Sequence, residues 1–220
     1  MEKIIVQIAN ANNNLADCLT DIETAVRHAE EYAVPALGIE HNINLVVADV
    51  GQFAIPEDHV GGRTYRADFI LIDIDERAKP GKDAIFEMIC HELAHAARWG
   101  KNPEYTKSLL DCILNEGLAV AFEEQAARDS QLNKTVFLQT MIDRPDEENR
   151  RILAKLTPQL YDEHYDYTKI FFDGDESVGL PRWAGYSLGF YLIRQYLQRT
   201  NRSLRQAVTD DYDKLKAGAL

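Results

Sequence analysis

Between residues 91 and 95 the chain reads H-E-L-A-H, within "FEMICHELAHAARWG" (86–100), where apolar residues recur at helical spacing. No other stretch constrains the fold as strongly. On a helix of 3.6 residues per turn, His91 and His95 stand about 40° apart around the axis and one turn apart along it. That is how two imidazoles come to take one metal ion side by side. Glu92 lies about 100° round from His91, close to the same ion but aimed differently, where a carboxylate can take a proton from water. The helix is expected over 83–99. Ile85, Phe86, Ile89, Cys90, Leu93, Ala94, Ala96 and Ala97 form its packed arc, and the histidines sit off it, beside Met88 and Arg98, facing a cleft.

A catalytic zinc ion typically has three protein ligands and keeps a fourth position for water. Twenty-one residues after His95 comes Glu116, inside the strongly apolar "ILNEGLAVAFEEQ" (113–125). A glutamate in such a helix needs a partner. A metal ion would be one, and an arginine would be another. Cys112, one turn earlier on the same face, reads either as packing or as a soft fourth ligand that would close the site.

The surrounding pattern is mixed. Strands are expected at 3–8, 43–50 and 67–76, with a helix at 16–34 that stops around Pro35 and Gly38. The segment 51–67, with Pro56 and the Gly61-Gly62 pair, reads as loop. Helices are expected near 104–128, 131–142, 146–166 and 182–199, with a short one after Ser203. This is an α+β chain, read as one domain over 1–220 with an α/β lobe to about residue 101 and a helical lobe beyond it. "DGDES" (173–177) alternates acidic residues but lacks the glycine and the final glutamate of a calcium loop, so it reads as a solvated loop.

Bulk properties exclude several partners. A net charge of −12 over 220 residues disfavours nucleic acid and anionic membranes, both of which need a basic surface. No segment approaches the ~20 apolar residues of a membrane span. The N-terminus lacks the basic, long-apolar and small-residue regions of a secretory signal. Three cysteines, Cys18, Cys90 and Cys112, have no disulfide-like spacing and fit a reducing compartment. The expectation is a cytoplasmic protein.

"HELAH" followed by "LNEGLA" resembles the gluzincin zinc metallopeptidases. Over about residues 60–200 the chain is also similar to an uncharacterised bacterial family of predicted zinc-dependent proteases. The shared features there are a Gly-containing loop, "FILIDID", the two metal motifs and a W-x-G-Y-x-x-G segment, here "WAGYSLGFYLI" (183–193). The resemblance implies a zincin-like fold: a small mixed sheet carrying the HExxH helix, then a mainly helical lobe, with "ADFILIDIDE" as the edge strand where a peptide docks. It implies Zn²⁺ held by His91, His95 and Glu116, with Glu92 as general base. It also implies an oxyanion donor from the distal lobe, for which Tyr186 is the first choice, with Arg182 and Tyr191 as substrate-binding candidates. Some gluzincins carry an acidic residue one turn after the glutamate ligand to orient a histidine. That position is Val120 here, which leaves Glu123 and Asp111 as candidates. The expected activity is hydrolysis of a peptide or protein substrate. The alternative is a catalytically silent zincin-fold protein that binds metal or a partner, against which the retained Glu92 argues.

Overall fold

The computed structural model describes residues 3–52, 54–75, 77–102 and 107–220. The start of the helix expected from 104 lies outside the described residues. The described chain is α+β, with a four-stranded mixed sheet and eight α-helices. It divides into two compact units. The first comprises residues 1–101 and 122–137, and the second 102–121 and 138–220.

In the first unit, β1 (Ile4–Ala9), β2 (Ile43–Ala48), β3 (Val60–Arg66) and β4 (Phe69–Ile74) form a sheet in the order β1-β2-β4-β3. The first three in that order are parallel, and β3 runs antiparallel to β4. Alternation explains the central strands: Ile43, Leu45 and Val47 of β2 and Ile70, Ile72 and Ile74 of β4 are buried on one face. The register sets Gly62 opposite Ile72 and Thr64 opposite Ile70, so both β3 residues share that face. Helix α1 (Leu19–Leu37) joins β1 to β2 and buries a stripe of Ile22, Ala25, Val26, Ala29, Ala33 and Leu37. Gly38, at φ +70°, closes it in the left-handed conformation that glycine favours.

Helix α2 (Lys82–Trp99) carries HELAH and packs on α1, β3 and β4. Every residue from Ile85 to Ala96 is buried. The expectation of one packed arc with a second, open face is therefore corrected: from Ile85 to Ala96 both faces of α2 are buried. Polar side chains on its second face are buried too, and Ala97, assigned to the packed arc, is only half-buried.

Two strand expectations also change. The stretch read as loop contains β3, and β4 is an inner strand with β2 and β3 on its two sides, so "ADFILIDIDE" is not the edge. Gly61-Gly62 suggested a turn. In the sheet, however, Gly62 is small because a side chain of α2 occupies the place its own would take.

Helix α3 (Leu109–Asp129) runs through both units. Helix α4 (Val136–Ile142) begins with its first two N–H groups donating to the Asp58 carboxylate. The second unit adds α5 (Asp146–Leu156), α6 (Ala184–Thr200), α7 (Leu204–Thr209) and α8 (Tyr212–Ala219). The helix expected over 146–166 ends early: Thr157-Pro158 tightens the chain into a 3₁₀ turn, since Pro158 has no N–H to continue the helical hydrogen bonds. Within this unit α3 and α6 meet backbone to backbone. A Cβ on Gly117 would lie 2.2 Å from the Gly189 carbonyl.

Candidate metal centre

Consecutive turns of α2 place His91 and His95 with their Nε2 atoms 3.2 Å apart. Two nitrogens bound to one zinc at about 2.0–2.1 Å in tetrahedral geometry stand roughly 3.3 Å apart, so this separation suits a shared ion. Glu116 of α3 completes the group: one ligand atom from each of His91, His95 and Glu116 lies within 4.8 Å of the others, and all three residues are buried. Two imidazoles and a carboxylate, with no fourth side chain in the group among the described residues, form a donor set of the kind catalytic zinc uses. Cys112 is not a member. It is buried, the Tyr165 hydroxyl hydrogen-bonds its sulfur, and burial pushes its thiol well up.

The orientation of His91 has a clear cause. Its Nδ1 donates to Glu123 Oε2 at 2.9 Å, which leaves the Nε2 lone pair for a metal. Glu123 sits two turns after Glu116 on α3 and fills the role its spacing suggested. Burial pushes its carboxyl up, and the hydrogen bond from His91 opposes that rise. Asp111, the other candidate, is engaged elsewhere with Ser108 and Lys216.

Behind Glu123 lies a residue the sequence reading passed over. Glu87, one turn before His91, is buried, accepts from the Thr135 backbone N–H, and has its carboxyl pushed up to about 8 by burial and by the charge of Glu123. Its Oε1 has no hydrogen-bond partner among the described residues. The only sequence hint was a glutamate four residues before a histidine on one helix.

Glu92 points toward β3. Its carboxylate lies 2.8 Å from Thr64 Oγ1, and the same hydroxyl is 2.9 Å from the Glu92 carbonyl oxygen. A hydroxyl has one proton, and the carboxylate is the stronger acceptor.

In the second unit Tyr186 is buried on α6, edge-on to Phe171, Phe172 and Trp183. Burial, then Tyr167 and then Glu116 push its phenol well above the ordinary range, so it is a neutral donor. Tyr167, unremarked in the sequence, hydrogen-bonds with it and is partly exposed. Arg182 is exposed and lies over the Trp183 ring at 4.5 Å, and Tyr191 is buried. In "DGDES", Asp175 caps the turn at Ser177 and pairs with Lys169.

Over residues 21–217 the chain matches the family described as "Predicted Zn-dependent protease (DUF2268)". The chain belongs to this family. It is the uncharacterised family that the motifs pointed to, and its description agrees with a buried His/His/Glu group able to hold a metal ion. No curated protein and no solved structure matches the chain. Among the described residues no helix is long and apolar enough to cross a membrane.

Proposed function

We propose that this chain is a gluzincin-type, zinc-dependent metallopeptidase, a single zincin-like catalytic domain over residues 1–220. The observation that carries the reading is the buried His91, His95 and Glu116 group, with Glu92 next to His91 on the same helix. His91, His95 and Glu116 would hold the ion. Zinc bound there acts as a Lewis acid that makes water more acidic and polarises a carbonyl.

The remaining work belongs to the chain's own side chains. Glu92 accepts the proton of the attacking water and returns it to the leaving nitrogen. Glu123 holds His91 in the tautomer with Nε2 free. Tyr186 is a neutral phenol suited to donate to a developing oxyanion, with Arg182 and Tyr191 in supporting contact with substrate. The strand beside Glu92 is β3, one of the two outer strands of the described sheet, where an extended peptide can add as a further strand. The net charge of −12 fits a peptide or protein substrate rather than nucleic acid, and we place the protein in the cytoplasm.

The test is metal-dependent cleavage of a diverse peptide library. One zinc per chain, cleavage lost on chelation and recovered on adding zinc are the expected results. One zinc per chain with no cleavage of any peptide would support the silent, metal-binding alternative.

A further inference from the structure

We propose that Thr64 and Gly62 of β3 are positioning residues that seat the Glu92 carboxylate, fixing one oxygen and leaving the other to take the proton. The proposal rests on the reading of Glu92 as general base. Three observations carry it.

First, Thr64 Oγ1 donates to Glu92 Oε2 at 2.8 Å, while Oε1 accepts no hydrogen bond among the described residues. The two oxygens of one carboxylate are thereby made unequal. Second, the place a side chain on Gly62 would occupy is filled by Glu92. A Cβ there would lie 2.5 Å from Cγ, 2.7 Å from Oε1 and 2.8 Å from Cδ. The Glu92 side chain thus fills the space beside the bare backbone of β3 at Gly62. Third, Thr64 and Gly62 are two apart on one strand, so both present the same face to α2. One residue supplies a donor and the other supplies space.

A glutamate side chain has three rotatable bonds, and a base that wanders by about 1 Å loses on the order of 100-fold in rate. A β-branched threonine on a strand has little χ1 freedom and is a rigid donor. The seat therefore acts on the rate of the chemical step and not on substrate affinity or on zinc, which Glu92 does not ligate.

The experiment compares the full-length zinc-loaded wild type with Thr64→Val, Thr64→Ser and Gly62→Ala on one cleaved peptide, together with zinc content. Thr64→Val is expected to lower kcat roughly 10- to 100-fold with KM within about two-fold and one zinc per chain. Thr64→Ser, which keeps the donor, is expected to recover most of the rate. Gly62→Ala is expected to lower kcat at least as far, because its methyl group displaces the carboxylate. Wild-type kcat in Thr64→Val, or a Thr64→Ser variant as slow as Thr64→Val, overturns the proposal.

A second readout needs neither zinc nor substrate. In metal-free protein, the denaturant-midpoint shifts of Thr64→Val and Glu92→Ala are expected to be non-additive in the double variant, because the two side chains interact. Additive shifts overturn the seat. If zinc-loaded wild type cleaves no peptide, it is the functional reading that fails, and this cycle still decides whether Thr64 holds Glu92.

Discussion

Two buried carboxylates, Glu123 and Glu87, stand behind the buried imidazole of His91. The imidazole is held by Glu123, and the charge of Glu123 helps push the Glu87 carboxyl up. Removing the support should weaken the metal. Glu123→Ala is expected to lower zinc affinity about 10- to 100-fold, read by competition with a chromophoric chelator. Unchanged affinity would show that His91 needs no such partner.

Glu87 makes a prediction about pH. Its carboxyl is raised from an ordinary 4.5 to about 8, by burial first and Glu123 second. Between those values the unfolded chain releases this proton and the folded chain keeps it, so folding loses stability as pH rises through that window. In metal-free protein Glu87→Gln should therefore gain on wild type in thermal midpoint at pH 8 relative to pH 5. Equal pH dependence of the two proteins would contradict this.

Much of this layer was legible. The helical period alone places His91, His95 and Glu92, and a seven-residue spacing puts Glu123 over Glu116. Thr64 and Gly62 were not legible, because their meaning depends on which helix lies across their strand.

At the scale of elements, the glycines of "NEGLA" and "GYSLG" mark a crossing. Gly117 of α3 and Gly189 of α6 touch through their backbones, which draws α6, with Tyr186 one turn before the contact, close against α3. Gly117→Ala would force its methyl group into the Gly189 carbonyl region. It is expected to destabilise the fold by about 1–3 kcal/mol, measured by urea unfolding. A variant as stable as wild type would mean the helices separate at no cost.

The same scale shows where pattern reading fails. A strand with two glycines looks like a turn until the glutamate that fills its missing side chain is known. A strand as apolar as β4 reads equally well as edge or centre from its own residues. Its neighbour β3 makes it central. The helix over 146–166 was overextended because its apolar period continues past Pro158, where the backbone does not.

For the whole molecule, an apolar period that switches from strand-like to helical was enough to read an α+β chain. The burial of both faces of α2 from Ile85 to Ala96 was not legible. A helix with polar residues on one face looks amphipathic, and only the packing of other elements on that face shows those residues to be interior. His91, His95, Glu92, Glu87 and Glu123 are all buried, an arrangement costly for folding unless the groups are paired or coordinate a metal.

The central claim is that these groups are kept buried for hydrolysis at a zinc ion, with Glu92 as its base. The most direct measurement is peptide cleavage by the Glu92→Gln variant alongside wild type, with zinc content determined for both. One zinc per chain is expected in each, with a loss of about 10²- to 10⁴-fold in kcat for the variant. A variant that binds zinc and cleaves as fast as wild type would contradict the central claim.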